Sequence, residues 1–60
     1  MRRMRIYFDK DNGESKELTK EEALEHMSKY QLSEGIAAKQ SDPCEEVSYM
    51  TVGGFIRIEL

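Results

Sequence analysis

The stretch from Glu46 to Leu60 alternates apolar and polar side chains on both sides of Gly53-Gly54. A β-hairpin is the structure this pattern allows, with the double glycine as its turn. A two-residue loop there pairs Val52 with Phe55, Thr51 with Ile56, Met50 with Arg57, Tyr49 with Ile58 and Val47 with Leu60. One face then collects Val47, Tyr49, Thr51, Ile56, Ile58 and Leu60, which reads as the core side. The other collects Ser48, Met50, Val52, Phe55, Arg57 and Glu59. A slip by one residue would turn the whole apolar set to water, so the two strands support each other's assignment.

The remaining chain supplies elements to cover that hairpin. Met4, Ile6 and Phe8 alternate with Arg3, Arg5 and Tyr7, which predicts a first strand. The run from Asp9 to Gly13 is a turn, since Asn12 and Gly13 accept positive φ cheaply. Glu14 to Leu18 reads as a short, polar return strand. Thr19-Lys20-Glu21-Glu22 is a capping box with Leu18 at the staple position before it. It predicts a main helix running to about Leu32, with Ala23, Leu24, Met27, Tyr30 and Gln31 on one stripe. Ser33 to Gln40 is read as a short second helix, with Gly35 as the alternative end of the first. Pro43 stops any helix at Ser41-Asp42. The sum is a single α+β domain over residues 1–60. One main helix and a short second one pack on a mainly antiparallel sheet of three or four strands.

Sixty residues support only a small core. A single cysteine excludes an internal disulfide, and small scaffolds without staples often gain stability by association. Apolar residues at 38% and charged residues at 35% are those of a globular chain. No apolar run reaches the ~20 residues of a membrane span, and no apolar stretch follows the N-terminal arginines as a secretory signal requires. The chain starts at Met1 and reads as a short gene product. Its lone thiol suits a reducing cytoplasm.

Charge is unevenly placed. Arg2, Arg3, Arg5 and Arg57 lie on or beside the expected strands. From Asp9 to Glu46 there are eleven acids against five lysines. If helices cover one sheet face alone, Arg3, Arg5, Tyr7, Met50, Val52, Phe55 and Arg57 remain on the other. Aromatics, methionine and arginine are enriched at the centres of protein contacts. The plainer reading is that a curled sheet or the N-terminal arm covers them. The same residues could stack and hold a single nucleic-acid strand, but a net charge of −3 and an isoelectric point near 5.0 oppose phosphate binding. Conversely, an acidic face of Glu14, Glu17, Glu21, Glu22 and Glu25 could imitate a phosphate backbone towards a basic protein. An ordinary solvated helix face is the better explanation of those acids.

Chemistry-bearing motifs are sparse. His26 lies one turn after Glu22, but a metal site needs three or four ligands and no third is nominated. Cys44 follows Pro43 without a base beside it. Asp9, Asp11 and Gly13 resemble the start of a calcium loop, yet Lys20 falls where its bidentate glutamate belongs. No phosphate loop, dinucleotide fingerprint or nucleophile–histidine arrangement occurs. The expectation is a non-enzymatic protein-binding module, a regulator or inhibitor of a larger partner, with no cofactor, metal, membrane or small-molecule substrate. It would dock by the open sheet face or a free edge of the first strand or the hairpin. A nucleic-acid role and a structural homo-oligomer subunit, such as a homodimer, are the alternatives.

Overall fold

A computed structural model describes residues 4–60 of the chain. The elements are β1 (Arg5–Lys10), β2 (Ser15–Leu18), α1 (Lys20–Ala23), α2 (Lys29–Ser41), β3 (Val47–Thr51) and β4 (Gly54–Glu59). The four strands form one antiparallel sheet in the order β2-β1-β4-β3. Both helices lie on one side, so the fold is the expected two-layer α+β arrangement. The polar return strand is real: Leu18 pairs with Ile6 and Lys16 with Phe8.

The core follows from strand parity. Leu18, Ile6, Ile58 and Val47 stand side by side across all four strands, and all four are buried. The next row carries Phe8, Ile56 and Tyr49, with Ile56 fully buried. Ala23, Met27 and Leu32 close the core from the helical side.

Helix lengths differ from the sequence expectation. The short helix comes first and the long one second. Thr19 and Glu22 do form the capping box, but the helix ends after one turn. Glu25 and His26 bond to carbonyls only three residues back, and Met27 reaches Ala23. Ser28 then turns extended (φ −74°, ψ 157°) and caps α2 through a second box with Gln31. Serine caps strongly because its hydroxyl satisfies a free N–H of the first turn. Tyr30 and Gln31 therefore face solvent, and the buried stripe of α2 is Leu32, Gly35 and Lys39, flanked by Ile36. Gly35 ends no helix. It lets α2 approach the sheet, since a Cβ there would lie 2.6 Å from the Ile58 Cδ1 and 2.9 Å from the Tyr49 Cε2. Lys39 lays its stem in the core and extends its Nζ to the Glu45 carbonyl at 2.5 Å and to Glu59 at 3.8 Å. Asp42 leaves the helix in extended geometry before Pro43.

The hairpin turns one residue earlier than expected, on Val52-Gly53, with Gly53 at φ +89°. Thr51 pairs with Gly54, Met50 with Phe55, Tyr49 with Ile56, Ser48 with Arg57 and Val47 with Ile58. Each β3 residue thus meets a partner two positions earlier in β4 than expected. A two-residue shift preserves parity, so every strand side chain keeps its face.

Candidate functional site

The sheet side away from the helices carries two rows in strand order. Glu17, Tyr7, Arg57 and Ser48 form one; Ser15, Asp9, Phe55 and Met50 form the other. At the turn end, apolar side chains lie open to solvent: Met50 is 82% exposed, Val52 93% and Phe55 45%. Met50 and Phe55 are direct cross-strand partners, and Val52 stands in the turn two residues beyond Met50. Val52 belongs to the loop rather than to the strand expected for it.

Arg57 occupies the middle of this face and is fully engaged. Its Nε donates to the Asp9 Oδ2 at 2.8 Å, Nη2 to the Asp9 Oδ1 at 3.3 Å and Nη1 to the Glu59 Oε1 at 2.7 Å. The guanidinium carbon lies 4.6 Å from the centre of the Tyr7 ring, close enough for a cation–π contact. The Ser15 hydroxyl donates to the Asp9 Oδ1 at 2.6 Å. Hydrogen bonds to Asp9 and then Glu59 raise the Arg57 pKa, and those from Arg57 and then Ser15 lower that of Asp9. Arg57 is therefore a clamp joining β4 to β1. A shallow cleft of about 250 Å³ adjoins it, lined by Asp9, Glu46, Ser48, Phe55 and Glu59 among others.

Arg5 is exposed on the same face, its pKa raised by a hydrogen bond with Tyr7 and by the charge of Glu17. Arg3 lies outside the described residues. Arg5 and Arg57 thus share their surface with Glu59, as expected from the alternation of β4, and also with Asp9 and Glu17. β1 offers no free edge, because β2 and β4 flank it; the open edges belong to β2 and β3.

The five acids of the expected acidic face lie on different elements. Glu17 stands on β2 beside Tyr7, and Glu14 pairs with Lys10 at 3.6 Å. Glu22 accepts from the Thr19 N–H and lies 3.7 Å from Lys16. Glu21 is exposed in α1, while Glu25 lies in the turn before α2 and shares no helix with Lys29. His26 is exposed, with its ring 4.8 Å from that of Phe8 and its carbonyl accepting from the Thr51 hydroxyl at 3.1 Å. Among the described residues, no three His, Cys, Asp or Glu side chains gather as a metal site requires.

The Arg57 clamp makes stability depend on acid. Asp9 titrates lower in the folded state than in the unfolded chain, where its value is about 3.9. Glu22 is lowered chiefly by the Thr19 N–H. A lowered folded pKa contributes stability above the unfolded value and loses it as pH falls through the folded one. The urea midpoint is expected to fall between about pH 5 and pH 2. Asp9→Asn should lower the midpoint at pH 7 and flatten that acid limb; an unchanged limb would show the clamp contributes nothing.

Comparison with protein families, with curated proteins and with solved structures finds no match. Among the described residues, no helix is long and apolar enough to cross a membrane.

Proposed function

We propose that the chain is a small non-enzymatic protein-binding module, a regulator or inhibitor of a larger protein, that docks through the outer sheet face. The observation that carries this is the exposed cross-strand pair Met50 and Phe55 on the outer sheet face, with Val52 exposed in the turn beside it. Exposed contiguous apolar groups mark contact surfaces. Arg57 and Tyr7 give the trio a polar rim, the arrangement of a contact centre ringed by satisfied charges. Arg5 and Arg57, set among Asp9, Glu17 and Glu59, favour a protein over a phosphate backbone. The exposed Cys44 thiol suits a reducing cytoplasm.

The test truncates Phe55. Glutamate at that position would stand opposite Asp9, so serine is the cleaner change. Wild type and Phe55→Ser are used as paired baits in extract of the native host. A protein retained by wild type should bind the variant at least roughly 30-fold more weakly, as at a contact hot spot, while circular dichroism stays native. If both baits retain the same proteins equally, the outer face is not the contact.

A further inference from the structure

We propose that β3 is a self-association edge, on which a second copy of this chain adds its own β3 in antiparallel pairing about a two-fold axis at Tyr49. The sheet has two open edges, and they differ in kind. β2 is four residues long, and its middle positions are Lys16 and Glu17. Charge and shortness are the ordinary means of keeping an edge from pairing. β3 reads Val-Ser-Tyr-Met-Thr, five residues without a charge, a proline or a glycine. Its β-branched and aromatic residues favour extended pairing, and Met50 stands 82% exposed beside it. Such an edge is a template for another strand.

Charge leaves this edge as the place where a second copy can dock. The chain carries a net −3, and its acids crowd the segment from Asp9 to Glu46. A like-charged copy is repelled by most of this surface, but not by β3. With the axis at Tyr49, Val47 meets Thr51 of the second copy and Ser48 meets its Met50. Every paired residue is uncharged. The flanking Glu46 falls opposite Val52 of the second copy, so the two Glu46 side chains sit at opposite ends of the ladder. Residues of equal parity face each other, as a continuous sheet demands, and this axis uses all five residues. The product is an eight-stranded sheet in which the two Met50 side chains are diagonal neighbours. The two apolar trios then merge into one stripe on the outer face. One strand pair is a small contact, so the association should depend on concentration.

Sedimentation equilibrium tests this on the purified chain up to millimolar concentration. Wild type should approach twice the 7.0 kDa chain mass. Ser48→Glu/Met50→Glu puts glutamate against glutamate across the axis, and should sediment as monomer with native circular dichroism. Position 48 is exposed, so the new side chain reaches solvent. Ser48→Glu/Met50→Lys sets each new acid against a new base and should restore the dimer. Should the double glutamate variant lose its fold, Ser48→Glu alone at an exposed site should still weaken the dimer. A wild-type monomer, or dimers equally tight in wild type and Ser48→Glu/Met50→Glu, would overturn the edge; failure of the compensated pair would overturn the Tyr49 axis. The outer-face reading fails separately. Phe55→Ser leaves β3 intact and should still dimerise, whereas a monomeric wild type that captures a protein through Phe55 removes only the edge.

Discussion

Ile58→Ala is expected to leave the domain largely unfolded at 25 °C. Ile58 has no exposed surface. On β4 it stands between Ile6 on β1 and Val47 on β3, so three strands meet at its side chain. From the helical side it fills the space that Gly35 leaves open in α2. Removing three of its carbons costs their transfer free energy and opens a cavity, together about 2–5 kcal/mol. At about 0.05–0.15 kcal/mol per residue, a 60-residue chain holds only roughly 3–9 kcal/mol. The loss is therefore comparable to the whole stability. Urea unfolding followed by circular dichroism should show the midpoint fall towards zero denaturant. Ile58→Val removes one methylene, costs about 0.5–1.5 kcal/mol and should keep a cooperative transition. Equal stability of Ile58→Ala and wild type would mean that the core centre lies elsewhere.

The importance of Ile58 was legible in the alternation of β4, and so were the faces of β1, β3 and β4. Period two survives an error of two residues, which is why a shifted hairpin still sorted its side chains correctly. The helical segment is less legible because one signal occurs twice, and its first occurrence alone predicts a single long helix. Leu18-Thr19-Lys20-Glu21-Glu22-Ala23 and Met27-Ser28-Lys29-Tyr30-Gln31-Leu32 share one pattern: a buried apolar residue, a hydroxyl cap, a Glu or Gln three residues on, then a second buried apolar residue. Each is a capping box with the spacing of its staple. The second unit restarts the helix, and so ends the first. Helical periodicity across Ala23, Leu24, Met27 and Tyr30 masked that break. Lys39 escaped the core reading because a lysine stem can be buried while its ammonium finds a carbonyl outside. At the site, Met50, Val52 and Phe55 were visible as residues on the polar side of a strand pattern. The neutralisation of Arg57 was not, because Asp9 is 48 positions away in sequence and joins it only through the β1–β4 pairing.

Gly54→Ala should be the most damaging substitution of a single hydrogen by a methyl in the chain. Gly54 lies at φ +157°, and a Cβ there would come within 2.1 Å of the Asp9 carbonyl oxygen and 3.0 Å of the Lys10 Cα. These are backbone atoms of the neighbouring central strand, so no rotamer change relieves the contact. β4 would have to withdraw from β1 where Gly54 pairs with Lys10 and Thr51 together. This double pairing also explains the turn: Gly54 is needed inside the sheet, which leaves Val52-Gly53 to reverse the chain. Overpacking and backbone strain each cost about 1–3 kcal/mol, so a combined loss of about 3 kcal/mol or more is expected. That corresponds to a fall in thermal midpoint of roughly 12 °C or more for a domain of this size. Gly13→Ala is the control that separates the two causes. Gly13 has φ +93°, but a Cβ there meets nothing within 4 Å, so it should show only the backbone cost of about 1–2 kcal/mol. Equal midpoints for the two variants would mean that the close approach of β4 to Asp9 does not exist in solution, and that conformational preference alone places glycine at position 54.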